Sequence, residues 1–457
     1  MLYWCVVVAT HLSLGNLHQG FTKAVSLIED FRTLKKKIKY TVDEICNSAF
    51  AMMYFQDPSL NYFQKRMKES TNKSNLETMF GVESIPGEKR MRSFIDRVEP
   101  SYFYSAFNDV IKQIDQSKQL EQFKFEGSLL LPLDGTQILS TKSDDSSCKH
   151  CLTKNHRNGT TTYSHSVVVP MIVHPEIKQV LPLISEEIRN EDGKKKQDCE
   201  INAAKRLIPK LKEFYPDYKF TIMGDGLYAK QTLIDLILDQ GYNFMLVVSP
   251  EYNVGFLEEV ERRREVGRVK VVETSSGGKI YRHEYSSQIA FKKTGETINA
   301  NYIGLTIINE ETGEVTYRNT WVTNLEVRED NVVQLVKVAR ARWKVENEGF
   351  NVLKNQGYEL EHCYGHGEEY LLFNFFQLTL LAHLYHQAHE LGDKQYQELR
   401  EKKETNKNFW DSIRAAIRSI LFLKWEDVIK YLLNPPEVAY DPVSGNIVPR
   451  DTLLNSS

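Results

Sequence analysis

The sequence predicts an α/β protein: a mixed sheet with flanking helices, interrupted by a β-rich insertion and preceded by a helical domain. Three observations predict it. Helical periodicity fills residues 23 to 125. Short apolar runs then alternate with helical segments from 127 to 250. A strand-rich stretch with glycine turns follows, before helical periodicity returns near 331. At 457 residues the chain exceeds what one hydrophobic core usually supports. The expected organisation is an N-terminal helical region (1–125), a core from 126–250 and 331–390, an insertion (251–330), and a C-terminal helical region and tail (391–457).

The elements follow in order. "TVDEICNSAFAMMYF" opens with Thr41 and carries Glu44 three residues later, the spacing of a capping box, and "DPSL" ends it. "GSLLLPLDGTQ", "TYSHSVVVPMIVH" and "KQVLPLISEEI" read as three strands. "DCEINAAKRLIPKLKEFY" reads as a helix, "YKFTIMGDG" as a strand, "AKQTLIDLILDQGY" as a helix and "NFMLVVS" as a strand. Within the insertion, "GRVKVVE", "KIYRHEYSS" and "NYIGLTIINEETGEVTYRNTWVTNL" are strands turned at "SGG" and "ETGE". "NVVQLVKVARARWKVENEGFNVLK" reads as one helix, and "NPPEVAYDPVSGN" as an irregular tail.

Hydrophobic content of 41% and charged content of 26% are ordinary for a globular protein, and a net charge of −3 gives no global sign of a nucleic-acid partner. Basic clusters occur locally, in "LKKKIK" (34–39), "QKRMK" (64–68), "EKRMRSFIDR" (88–97) and "ERRRE" (261–265); each is either a solvated helix face or a binding patch. Six scattered cysteines suit a reducing compartment. The N-terminal "LYWCVVVA" lacks a basic flank and is far shorter than the ~20 residues of a membrane span. An N-terminal strand, or a start codon assigned too early, accounts for it. "LLFNFFQLTLLAHLYHQ" (371–387) is broken by Asn374, Gln377 and His383, so a buried helix is expected there and no membrane association.

Two glutamates in "RWKVENEGFNVLK" raise the functional question. With Glu346 at the origin of a helix turning about 100° per residue, Leu335, Arg342, Phe350 and Leu353 fall within roughly 40° and Trp343 about 60° away. Glu346 therefore lies in the apolar arc, and Glu348 falls on a solvated face with Lys344, Asn347, Asn351 and Asn355. A carboxylate on a packed face costs several kcal/mol unless paired or metal-bound. A salt bridge to Arg342 is one account. Two aspartates suggest another: Asp134 closes "LLLPLD" and Asp225 closes "FTIMGD", each followed by glycine. Acids at the carboxyl ends of buried strands sit where α/β folds place ligands, although Asp-Gly is also a common turn. Three such carboxylates could hold two divalent cations for phosphodiester cleavage.

These segments resemble a known family. The element order resembles an RNase H-like fold, and the acids resemble the DDE triad of insertion-sequence transposases. The likeness is closest to the subgroup with a β-rich insertion before a final helix that carries a Tyr-Arg-Glu-Lys signature. "LPLDGTQ" resembles the first-acid motif (Asp134) and "IMGDGLYAK" the second (Asp225). "TWVTNLEV", with Trp321, resembles the strand returning from the insertion, and "RARWKVENEGFNVLK" the final helix, giving Arg342 and Glu346. Ala339 stands where the signature has tyrosine and Leu353 where it has lysine; Lys354 is one position late. The resemblance spans roughly 127 to 390.

It implies a bacterial, cytoplasmic DNA transposase, nucleoid-associated when bound, that cleaves element ends and joins them to target DNA. Asp134, Asp225 and Glu346 would hold two magnesium ions, with manganese as a substitute. Arg342, Lys354, Lys35, Lys36, Lys37, Lys89, Arg90 and Arg92 would bind DNA, and the chain would act as a homodimer on it. The rivals are a nuclease of the same fold without strand transfer and a non-catalytic, transposase-derived DNA-binding protein.

"SCKHCLTKNHRNGTTTYSH" places Cys148 and Cys151 at the spacing of a zinc knuckle, with His150, His156 and His165 nearby. A full site needs four ligands and no second Cys-x-x-Cys is present, so a polar loop is favoured and zinc is not expected. Asp198 and Glu200 read as helix caps, and His362 and His366 as structural histidines.

Overall fold

A computed structural model describes residues 12–33, 38–142, 148, 150–190, 198–291, 298–362 and 364–454. The N-terminal apolar stretch and Lys35, Lys36 and Lys37 lie outside the described residues. Among the described residues six α-helices come first: α1 (Leu14–Ser26), α2 (Val42–Tyr54), α3 (Leu60–Met67), α4 (Ser70–Phe80), α5 (Glu88–Ile95) and α6 (Tyr104–Gln116). The capping box at α2 forms as the spacing predicts: Glu44 N–H donates to the Thr41 hydroxyl at 3.0 Å, and Thr41 N–H donates to the Glu44 carboxylate at 2.8 Å.

Strands β1 (Lys124–Phe125), β2 (Ser128–Thr141), β3 (Leu152–Asn155), β4 (Thr161–His174), β5 (Ile177–Pro182) and β6 (Glu186–Ile188) follow. Next come α7 (Glu200–Phe214), β7 (Phe220–Gly224), α8 (Gln231–Asp239), β8 (Asn243–Val247) and α9 (Val254–Glu265). The strand-rich stretch is β9 (Lys270–Ser276), β10 (Lys279–Phe291), β11 (Ile298–Asn309) and β12 (Val315–Thr323). All twelve of these strands belong to one sheet, ordered β3-β4-β2-β7-β8-β12-β11-β10-β9, with β1 on β2 and β5 and β6 on β4.

The protein is thus mixed α/β. β2 runs antiparallel to β4 but parallel to β7, which runs parallel to β8. β12 returns antiparallel onto β8, pairing the buried Trp321 with Val247, so the hairpins of the strand-rich stretch extend the central sheet. Apolar residues fill both faces of the short parallel strands: all five residues of β7 are buried.

Helix α10 (Val332–Arg340) leads through irregular turns to α11 (Asn351–Asn355), and the chain then enters α12 (Leu371–Gly392), the centre of the helical core. α12 is buried along nearly its whole length, from Leu371 to His389, against α2, α6 and β5. Some of its polar groups bond within the core: Asn374 Nδ2 donates to the carbonyls of Ile95 and Val98 at 2.7 Å. His386 and His383 share the Tyr358 hydroxyl at 2.6 and 3.1 Å. No helix among the described residues is long and apolar enough to cross a membrane. α13 (Lys394–Lys402), α14 (Asn406–Ser419) and α15 (Trp425–Leu433) complete this layer. The tail expected to be irregular instead forms a hairpin, β13 (Val438–Asp441) with β14 (Asn446–Pro449), before a last short helix, α16 (Arg450–Leu454). Gly445 at φ +71° allows the turn.

Candidate functional site

Two of the predicted acids sit side by side on neighbouring strands. β2 and β7 are in parallel register with Pro132 opposite Met223, so Asp134 and Asp225 each lie two residues further along, on the same face. Neighbouring strands are about 4.8 Å apart. Asp225 follows the end of β7 as expected, and its Oδ1 accepts from Leu227 N–H at 2.8 Å, an Asx turn. Asp134 does not end its strand: β2 continues to Thr141, and Asp134 pairs with Val169 of β4. What ends just before Asp134, at Pro132, is the parallel pairing, and antiparallel β4 carries β2 onward after β7 has stopped.

A third carboxylate joins them. Glu200, the first residue of α7, accepts from the Tyr228 hydroxyl at 2.6 Å and lies against Gly135, whose amide donates to Asp134 Oδ1 at 3.0 Å. A Cβ at residue 135 would lie 2.6 Å from Glu200 Oε2, and one at residue 224 would lie 2.7 Å from the Tyr228 ring. The glycines of "LDG" and "GDG" are therefore there for close approach as much as for turns. Burial first, then the charges of Glu200 and Asp225, raise the Asp134 carboxyl to about 6, against the opposing pull of Arg342. Burial and Asp225 also raise Glu200, opposed by its hydrogen bond from Tyr228.

Neither acid expected to cap α7 does so. Cys199 is the N-cap, and no side chain caps the helix. Asp198 instead accepts from Arg206 at 2.6 Å and from the Arg189 amide at 3.2 Å. The hint of Glu200's place was its apolar neighbour pattern in "CEINAAKRL", which puts Glu200 on the strand-facing side of α7 with Ala203, Ala204 and Leu207.

The predicted final helix is broken. After α10 the chain makes a 3-10 turn (Ala341–Trp343) and a π-helix (Val345–Phe350) before α11. Tightening and then widening the helix defeats a constant 100° step. Val345 is buried and Trp343 is half exposed. Glu346 and Glu348 are both partly buried. Glu348 is not on a solvated face: one oxygen lies 3.4 Å from Lys344, and the other is buried with no hydrogen-bond partner among the described residues. Lys344 Nζ donates to the Ile177 carbonyl at 2.9 Å. Gly349 packs this turn against Met171 of β4.

Arg342 pairs with Asp134 at 3.5 Å, not with Glu346, and stacks on Trp343. The helix bearing Glu346 is thus tied to the first aspartate through Arg342. Asp134, Asp225 and Glu346 do not close to the spacing of one cation's ligands: among the described residues the set that does so is Cys148, Cys151, His165 and His366.

Of the predicted DNA ligands, Lys89 and Arg90 are exposed on α5. Arg92 is paired with Glu88 at 2.7 Å, and Lys354 with Glu361 at 3.2 Å. Two basic clusters are structural. Arg66 is buried in a pair with Asp57, and Arg262, Arg263 and Arg264 pair with Glu259, Glu261 and Glu284.

The Cys2His2 cluster corrects the expectation of a polar loop. His165 Nε2 lies 3.3 Å from Cys148 Sγ and 3.2 Å from Cys151 Sγ, and His366 Nδ1 lies 3.2 Å from Cys151 Sγ. The four ligand atoms fall within 4.8 Å of one another, an arrangement that could bind a metal. Soft thiolates with imidazoles favour zinc over magnesium. The fourth ligand lies 201 residues from His165, beyond the reach of local spacing; "YGHG" was its only signal. His150, expected near such a site, instead stacks on Tyr370, and His156 bonds Thr162. Compared with known proteins, the chain matches no family model and no curated protein.

Proposed function

We propose that the chain is a metal-dependent DNA transposase with an RNase H-like core, cutting the ends of its element and joining them to target DNA. The observation that carries this reading is the pair Asp134 and Asp225, in step on adjacent parallel strands, with a third acid-bearing segment tied to them by Arg342. The sheet supports it as well: an antiparallel group, β5-β4-β2, continued by parallel β7 and β8 with helices between, is the strand plan such a core requires.

The donors suit hard divalent cations. Burial first, and the neighbouring acids second, raise the Asp134 and Glu200 carboxyls, a cost that a bound cation would offset. Asp134, Asp225 and Glu346 would hold two magnesium or manganese ions. When bound, these activate an attacking oxygen and stabilise a leaving one in phosphodiester cleavage. The Gly135 amide orients Asp134 directly, and Glu200, held by Tyr228, packs against Gly135. Arg342 balances charge at Asp134 and, on phosphate entry, is placed to turn toward it. Exposed Lys89 and Arg90 on α5 supply backbone contacts to the DNA, so binding falls steeply with salt. Paired ends call for a homodimer on DNA.

The test is an assay of cutting and joining with the DNA that flanks the reading frame, in Mg²⁺. Wild type should yield joined products, and Asp134→Asn and Asp225→Asn should yield neither cut nor joined DNA while still binding. Cutting without joining would favour a nuclease, and specific binding without cutting a non-catalytic descendant.

A further inference from the structure

We propose that Cys148, Cys151, His165 and His366 bind one structural zinc ion, which fastens the chain beyond the acid-bearing helix to β4, the strand paired with Asp134. The four residues come from three places: the segment before β3, the middle of β4, and the link between α11 and α12. A tetrahedral zinc with bonds of about 2.0–2.3 Å sets its ligand atoms roughly 3.4–3.8 Å apart. Three approaches here, 3.2 to 3.3 Å, are within a few tenths of an ångström of that.

Hydrogen bonding alone does not account for the cluster. His165 Nε2 faces two sulfurs at nearly equal distance, and Cys151 Sγ faces two imidazoles. A ring nitrogen carries at most one hydrogen, so it cannot donate well to both sulfurs. A cation between the four atoms satisfies all of them.

The surroundings have the form of a metal site. His165 Nδ1 lies 3.1 Å from the buried Glu187 carboxylate, which is held in turn by Arg189 at 3.2 Å. A carboxylate behind a ligand histidine fixes the ring and its tautomer. His366 stands between Gly365 at φ +105° and Gly367 at φ +74°, backbone that turns the link sharply to present the imidazole. A Cβ at Gly367 would strike Asp96, whose carboxylate accepts from the amides of Glu368, Glu369, Tyr370 and Leu371 at the root of α12.

The ion would therefore join β4 to a link already anchored on α5. Its place on β4 is His165, four residues from Val169, the partner of Asp134, or about 13 Å along the strand. Loss of the ion should loosen the link that follows the Glu346 helix while leaving the sheet intact. All four ligands are protein atoms, so the site is closed and non-catalytic.

The experiment reads zinc in the full chain, purified under reducing conditions without chelator, by elemental analysis and native mass spectrometry. One zinc per chain is expected, and Co²⁺ exchanged into the site should give the visible bands of tetrahedral thiolate coordination. His366→Ala should lose the metal and the chelator-induced drop in Tm that wild type shows; His366→Cys should keep both. If His366→Ala does not fold, Glu187→Gln, which keeps every ligand, should bind zinc about 10–100-fold more weakly. Wild type that carries no zinc and takes up none on titration, or zinc retained unchanged in a folded His366→Ala, would overturn the proposal. None of these readings involves DNA, so they stand or fall apart from the transposase reading.

Discussion

The carboxylate of Glu200 occupies the space that a side chain at Gly135 would need, so the two residues pack against each other beside Asp134, whose Oδ1 accepts the Gly135 amide proton at 3.0 Å. Gly135→Ala should push Glu200 out of its bond with Tyr228 and cost about 1–3 kcal/mol, the usual range for overpacking. Urea unfolding measures it. The double variant Gly135→Ala with Glu200→Ala should lose much of that penalty, whereas additive costs would mean that the two residues do not compete for space.

Asp134 makes the folded protein less stable as pH rises. Its carboxyl is raised to about 6, by burial first, from an unfolded value near 3.8, so the folded state holds the proton longer. The penalty is absent below about 4, grows between 4 and 6, and is fully present above 6, where it is on the order of 2–3 kcal/mol. Asp134→Asn should gain stability over wild type across that window and no further above it. Thermal melts of both proteins at a series of pH values give the difference curve.

Four buried histidines act in the opposite sense. Burial lowers His18 and His389 to about 4, His383 to about 3, and His386 well below its usual value, although Asp393 partly offsets this at His389. Each contributes stability that is complete above about 6.5 and is lost as pH falls toward its folded value. Wild type should therefore lose helical structure in acid before its carboxylates are all protonated. His383→Gln should flatten that acid limb, as followed by far-UV circular dichroism.

Arg342 is the charge that holds Asp134 down against its acidic neighbours. Arg342→Ala should raise the Asp134 carboxyl further, visible by carbon-detected NMR, and move the acid limb of the proposed metal-dependent DNA cutting to higher pH. Arg342→Lys, which keeps the charge but not the planar stack on Trp343, should shift it less.

Much of this was legible in the sequence. Period-2 and apolar runs marked β4, β7, β8 and the hairpins β9 to β12, and the Thr41–Glu44 spacing marked the start of α2, because each is a local pattern. Asp134 and Asp225 were legible as a pair since both close apolar runs and precede glycine. Glu200 was not, because its role depends on α7 packing across Gly135. The face of Glu348 was misread because a helical wheel assumes a constant step, and the 3-10 and π turns break it. His366 was hidden for a different reason: a ligand brought in from two hundred residues away leaves no spacing to find.

Glu346 and Glu348 therefore set the most direct test. Glu346→Gln and Glu348→Gln differ from wild type by one oxygen each, and both are assayed for Mg²⁺-dependent cutting and joining of the flanking DNA. A metal site built on Asp134, Asp225 and Glu346 predicts that Glu346→Gln abolishes both reactions while Glu348→Gln retains them. Full activity in Glu346→Gln, with loss in Glu348→Gln or in neither, would contradict it.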